Sequence, residues 1–325
     1  MSDGVGYARE KAMSRFRILS LDGGGVKGTF TAAVLAELET LSGKRIVEHF
    51  DLITGTSTGG IIALALGLDI SAPEILRFYC TQGGAIFPST GVSRRVYACL
   101  RHVVWPKYSA RVLHDAVASV LGGRTLGESR CRLVVTSYDA VRGDVHLFKT
   151  AHHRQFPHDA RLPAVDVAMA TAAAPTYLPA YTDARGCHLD GGIWANCPAT
   201  VGVIEAIGVL RQPPEAIELL SIGTTSEPFS ISKRRRQRGG LLLWNTGLID
   251  LLQQAQVAAA LAQAQALTGR KVLRVDVLTH PHRFRLDDAR HVDELRALGI
   301  GEARQWAEEI SRRFLDVRTA PFVPA

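Results

Sequence analysis

Between one apolar run, Phe50-Asp51-Leu52-Ile53-Thr54, and another, Ile61-Ile62-Ala63-Leu64-Ala65-Leu66, the chain places Gly55-Thr56-Ser57-Thr58-Gly59. A strand that enters a tight turn and leaves as a buried helix, with a serine at the apex, is the context of a nucleophile elbow. Gly55 and Gly59 are expected to be glycines for room, because the turn brings the strand and the helix too close for a side chain. Ser57 is expected to sit in a strained backbone conformation between Thr56 and Thr58, lifted clear at the positive end of the following helix.

Upstream, Arg17-Ile18-Leu19-Ser20-Leu21 reads as a short buried strand and runs directly into Asp22-Gly23-Gly24-Gly25-Val26-Lys27-Gly28. Helical spacing of apolar residues follows over residues 29–41. The glycines also satisfy G-x-G-x-x-G, but a dinucleotide-binding unit would end its next strand on an acidic residue for the ribose, and here that strand ends on Ser57. Successive glycine N–H groups at a helix start hold an oxyanion as readily as a phosphate. Beside a nucleophilic serine, Gly23, Gly24, Gly25, Lys27 and Gly28 are therefore read as an oxyanion loop, with Lys27 adding positive potential.

Residues 73–79 have helical spacing, and the glycines and proline of 81–93 suggest a loop. Trp105-Pro106-Lys107-Tyr108 breaks the chain before a helix over 110–121. The apolar side chains of Ile86, Phe87, Val103, Val104 and Trp105 either belong to the core or line an acyl groove. Strands are expected at 130–137, 144–149, 217–222 and 272–277. Helices are expected at 163–174, 241–267, 292–298 and 302–314. The alternation predicts an α/β fold with a mainly parallel sheet and helices on both faces. There is one domain over 16–325, its motifs lying within 16–224 and a helical part over 241–325, after an N-terminal extension of residues 1–15.

The chain has 325 residues and is 46% hydrophobic and 21% charged, which suits a soluble globular protein. No apolar run approaches a membrane span and the N-terminus has no signal-like segment, so a cytosolic location is expected. Cys80, Cys99, Cys131, Cys187 and Cys197 are scattered without C-x-x-C spacing, which favours neither a disulfide framework nor a zinc site. The net charge is +7, and five cations cluster in Lys233-Arg234-Arg235-Arg236-Gln237-Arg238. That run reads either as a solvated loop or as a site for an anionic membrane or phosphate-bearing partner. A nucleic-acid polymer is disfavoured, since no such motif is present and no aromatics interleave the cations.

A serine alcohol needs a base. His280, His282 and His291 permit a Ser-Asp-His order, but an early elbow straight after the glycine loop departs from the α/β-hydrolase arrangement, and these histidines lie in a polar stretch. Asp190-Gly191-Gly192 closes the expected strand Cys187-His188-Leu189, and the glycines allow close backbone approach. Held near Ser57 in a partly dry pocket, the Asp190 carboxylate would have its pKa raised toward working pH and could serve as the base directly.

Together these segments resemble the patatin-like phospholipases. Residues 22–28 are similar to that family's D-G-G-G-x-[RK]-G loop, 55–59 to its G-x-S-x-G, and Asp190-Gly191-Gly192 to its D-G-[AG]. Ala170 to Pro179 resembles the segment before the aspartate. Ala172 replaces a common serine, and Cys197 a common asparagine. The resemblance implies a three-layer α/β/α patatin-like fold and a Ser57/Asp190 dyad with no metal or other cofactor in catalysis. It also implies phospholipase A-type hydrolysis of membrane phospholipids by peripheral contact at the inner membrane. The segment 219–225, Arg274-Val275-Asp276 and Leu286-Asp287-Asp288 are similar to bacterial patatin effectors of anti-phage (CBASS) signalling. That likeness implies a cyclic dinucleotide activator held by basic residues outside the dyad, and a homo-oligomer on activation. A constitutive lipase, an esterase or thioesterase for soluble esters, and a catalytically silent binding protein are the alternative readings.

Overall fold

The computed structural model describes residues 15–88, 105–156, 158–228, 247–281 and 283–325. Eight strands form one sheet: β1 (Phe16–Leu21), β2 (Leu52–Gly55), β3 (Arg132–Asp139), β4 (Asp144–Lys149), β5 (Tyr181–Asp183), β6 (Gly186–Asp190), β7 (Ile217–Ile222) and β8 (Val272–Val275), in the order β5-β6-β3-β2-β1-β7-β8 with β4 paired to β3. The run β3-β2-β1-β7-β8 is parallel throughout, while β4, β5 and β6 are antiparallel additions. The sheet is thus mainly parallel, as the alternation of elements predicts.

Both faces of the parallel strands are apolar because both are covered. Leu19, Leu21, Ile53, Leu133, Val135, Leu220 and Ile222 point into one core, and Phe16, Ile18, Leu52, Val134, Ile217 and Leu219 into the other. The first core is closed by α1 (Gly28–Ser42), α2 (Thr58–Gly67), α3 (Ala72–Ile86), α4 (Ala110–Leu121), α5 (Ala164–Thr171) and α9 (Val292–Phe314). The second is closed by α7 (Ala199–Ile204) and α8 (Gly247–Leu267), with the short α6 (Gly192–Ala195) beside them. This is the three-layer α/β/α arrangement.

Two helices run further than glycine content suggests. The loop expected over 81–93 is helical through Ile86: a Ser71/Glu74 capping box starts α3, and Ile75, Phe78, Tyr79 and Ile86 bury one face. The helices expected at 292–298 and 302–314 are one continuous α9. Gly299 does not break it, because the residue marks a close helix crossing: a Cβ there would lie 2.5 Å from the Phe30 carbonyl and 2.7 Å from Ala33 Cβ on α1. Ile86 is buried and Phe87 packs edge-on against Tyr108, so both are core side chains, whereas Trp105 is exposed. Val103, Val104, His282, Cys99 and the run 233–238 lie outside the described residues. The described cysteines Cys80, Cys131, Cys187 and Cys197 are free thiols. Among the described residues no helix is long and apolar enough to cross a membrane.

Candidate active site

The site arises where two strands meet end to end on one edge of β3. β4 pairs along 134–139 of that strand, β2 along 132–135 and β6 along 137–139, so β2 and β6 must share the edge opposite β4. Gly55 lies beside Val135 and Asp190 beside Ser137, leaving Thr136 in the gap between the two strand ends. From that gap the elbow turns one way and the aspartate loop the other.

Ser57 sits at φ 53°, ψ −122°, the strained geometry of an elbow, and α2 begins at the next residue. The turn leaves no room for side chains at its glycines: a Cβ on Gly55 would lie 2.3 Å from the Gly59 carbonyl oxygen, and one on Gly59 2.2 Å from that of Leu21. α2 is buried on every side, and its ten residues Thr58–Gly67 are correspondingly small or apolar. Threonines hold the turn. The Ser57 N–H donates to Thr171 Oγ1 (2.9 Å), whose hydroxyl donates to the Thr136 carbonyl (2.6 Å). Thr56 donates to the Ala195 carbonyl (2.6 Å) and pairs with the Thr136 hydroxyl (2.8 Å). Thr58 pairs with the buried Tyr79 hydroxyl.

Asp190 is 5% exposed, whereas Ser57 is half-buried. Burial pushes the Asp190 carboxyl up to about 6, against the opposing pull of the nearby Ser57 hydroxyl and of the Gly192 N–H, which donates to Oδ1 at 2.7 Å. Gly191 lies against β3 so closely that a Cβ would be 2.0 Å from Thr136 Oγ1.

The glycine loop passes over the serine: a Cβ on Gly23 would stand 3.3 Å from Ser57 Cβ. Its five expected residues divide by what their N–H groups do. Gly23 donates to the Asn196 carbonyl (2.9 Å), Lys27 to the Gly24 carbonyl (3.1 Å) and Gly28 back into the preceding turn. The Gly24 and Gly25 N–H groups make no hydrogen bond among the described residues. The Lys27 ammonium donates to the Thr225 carbonyl (3.0 Å), and burial lowers its pKa. Gly25 adopts φ 57° and lies against the Leu286 carbonyl, which also accepts the Val26 N–H at 2.8 Å.

Three residues outside this loop support it. Thr224 donates to the Gly23 carbonyl (3.1 Å), and the Asn196 amide to the same oxygen (3.4 Å). Arg274 on β8 donates to Asp22 (2.7 Å), Asp276 (2.8 Å) and Ser221 (2.8 Å). Burial raises the Asp22 pKa and the Arg274 guanidinium pulls against it. Cys197 is buried near Ser221 and Arg274, and Ala172 is buried beyond the end of α5. His291 is engaged by Glu294 (3.2 Å) and stacks edge-on against Phe284, and His280 lies in the turn that follows Thr279. Among the described residues no group of three or more His, Cys, Asp or Glu is placed to hold a metal ion.

A strained serine near a buried acid at the edge of a mainly parallel sheet is an arrangement suited to hydrolysis of carboxylic esters. Comparison with known proteins sharpens this. The family described as patatin-like phospholipase matches residues 19–203. A cGAMP-activated phospholipase of Pseudomonas aeruginosa is 34% identical over 287 residues, covering 88% of this chain and 84% of its own. A cGAMP-activated phospholipase of Vibrio cholerae is 35% identical over 294 residues, covering 83% and 80%. Patatin-like protein 1 of Oryza sativa subsp. indica is 30% identical over 370 residues, covering 98% and 87%. The chain belongs to the patatin-like phospholipase family.

Proposed function

We propose that the protein is a cytoplasmic phospholipase A-type hydrolase acting peripherally at the inner membrane through a Ser57/Asp190 dyad, and that cGAMP activates it. The carrying observation is the half-exposed, strained Ser57 beside a wholly buried Asp190 whose pKa is raised to about 6. Such a carboxyl is mostly ionised at neutral pH, yet basic enough to accept a proton in the transition state. Ser57 Oγ attacks the ester carbonyl as its proton passes to Asp190. The oxyanion is met by the Gly24 and Gly25 N–H groups and by the N-terminus of α2 at Thr58. Gly23, Lys27 and Gly28 hold that loop in shape. Collapse expels the lysophospholipid alcohol, which takes the proton from Asp190. Water then attacks the acyl-serine with Asp190 again as base, releasing fatty acid and restoring Ser57.

Activation is inferred from two relatives named for it, which match more than four-fifths of this chain. The decisive experiment compares release of fatty acid from phospholipid vesicles with hydrolysis of a soluble short-chain ester, each with and without cGAMP. Low vesicle activity that rises with cGAMP is expected. Full activity without nucleotide and no cGAMP binding would leave a constitutive lipase. Hydrolysis of the soluble ester alone would leave an esterase or thioesterase, and no turnover at all a silent binding protein.

A further inference from the structure

The oxyanion loop is held at both ends, and the two ends are held differently. Asn196, Thr224 and Arg274 secure its start at Asp22 and Gly23. Its other end rests on the Leu286 carbonyl, which accepts the Val26 N–H (2.8 Å) and lies against Gly25 where φ reaches 57°. A peptide carbonyl and the Cα of the next residue share one plane. Whatever fixes Asp287 therefore fixes the Leu286 carbonyl as well.

Asp287 is buried, and its carboxylate takes no part in the proton transfers between Ser57 and Asp190. Its Oδ2 accepts hydrogen bonds from the Lys107 ammonium and from the Tyr108 hydroxyl (2.9 Å), while the Arg285 guanidinium stands 4.0 Å from Oδ1. Burial and the adjacent carboxylate push the Tyr108 pKa up, so the phenol stays a donor. The Lys107 ammonium also lies 5.3 Å and 5.9 Å from the ring centroids of Tyr108 and Tyr177. An apolar cluster would serve stability as well as a buried ion pair does, whereas the pair adds a directional constraint.

That constraint leads back to the dyad. The Lys107 and Tyr108 N–H groups donate to the carbonyls of Thr176 (3.0 Å) and Tyr177 (2.8 Å), in the stretch that follows α5. The same stretch holds both reacting residues: Thr171 Oγ1 accepts the Ser57 N–H (2.9 Å), and the Ala173 carbonyl accepts the Asp190 N–H (3.0 Å). Thr176 sits at φ 72°, a conformation that a β-branched residue keeps only where its surroundings enforce it. We propose that Asp287 is a positioning residue for the hydrolysis: through Lys107 and Tyr108 it locks the Leu286 carbonyl, and with it the Gly24 and Gly25 N–H groups, in register with Ser57 and Asp190. This role rests on the ester-hydrolase reading given above.

Steady-state kinetics on a soluble short-chain ester with cGAMP present, alongside hydrogen exchange read by mass spectrometry, test this on the full-length protein. D287A should lower kcat by about a hundredfold, as loss of an aligned oxyanion donor does. KM should stay within about twofold, because the oxyanion exists only in the transition state. The kcat/KM profile should keep its midpoint near 6, since the surroundings of Asp190 are untouched. K107M/D287A leaves no unpaired cation and should be folded by circular dichroism yet equally slow. Amides of residues 22–28 should exchange faster in D287A, while those of α2 should not change. A D287A kcat within about threefold of wild type, or a loss confined to KM, would overturn the proposal. Unchanged exchange in 22–28, or exchange equally quickened in α2, would do the same. Wild type without turnover, or S57A as active as wild type, would instead overturn the catalytic reading itself, and that outcome is seen without any change at Asp287.

Discussion

At the scale of single residues, the proposed chemistry rests on one strained serine and one desolvated acid. S57A should abolish both ester hydrolysis and labelling by a fluorophosphonate while leaving the urea midpoint almost unmoved, since only a hydroxyl at a turn is lost. D190N should lower kcat by about three orders of magnitude or more, because an amide cannot accept the serine proton. In wild type, kcat/KM should rise with pH through about 6 as Asp190 ionises, and then level off. The same shift acts on stability with the opposite sense. Asp190 binds its proton more tightly folded than at the ordinary 3.8, so the native state loses stability as pH rises from about 4 to about 6. The deficit persists above that range, on the order of 3 kcal/mol. D190N should therefore be more stable than wild type in urea at pH 7 and equal to it near pH 3.5. An unchanged difference across that range would remove desolvation as the cause of the shift.

Elements meet the site through contacts that tolerate little. β8 lies at the far edge of the parallel strands, yet its Arg274 reaches Asp22 at the start of the oxyanion loop and Asp276 on its own strand exit. Removing a buried cation leaves carboxylates without compensation, so R274M should cost about 3–5 kcal/mol. Adding D22N should recover part of that, as a double-mutant cycle in denaturant would show. The α1/α9 crossing is similarly unforgiving. G299A places a methyl against the Phe30 carbonyl and Ala33 Cβ. Despite the better helix propensity of alanine, it should destabilise by about 1–3 kcal/mol on thermal melting. A neutral or stabilising outcome would mean that the helices separate freely there.

For the whole molecule, the question is how a phospholipase finds its substrate and how it is restrained. Replacing Lys233, Arg234, Arg235, Arg236 and Arg238 together by Gln should weaken binding to anionic vesicles, by up to roughly 1 kcal/mol per charge, while sparing hydrolysis of a soluble ester. Binding and salt dependence that do not change would make that run a solvated loop.

Much of this was readable from local chemistry. The elbow announces itself because glycines, serine and two apolar runs must stand in that order, and the strands 217–222 and 144–149 and the helix 110–121 stand where local pattern puts them. The family likewise follows from ordered motifs, and the comparisons agree with it. Other features were not readable, because a local pattern cannot distinguish a glycine that ends a helix from one that lets two helices touch; Gly299 is of the second kind. Nor does local pattern give the roles of Thr136, Thr171, Thr224 or Arg274, which depend on partners up to hundreds of residues away. Sequence alone determined which residues are the candidates for the proposed chemistry. Tertiary structure decided that Ser57 and Asp190 meet, because only the shared edge of β3 brings a parallel and an antiparallel strand end to the same gap, and only burial there raises the acid to a useful pKa.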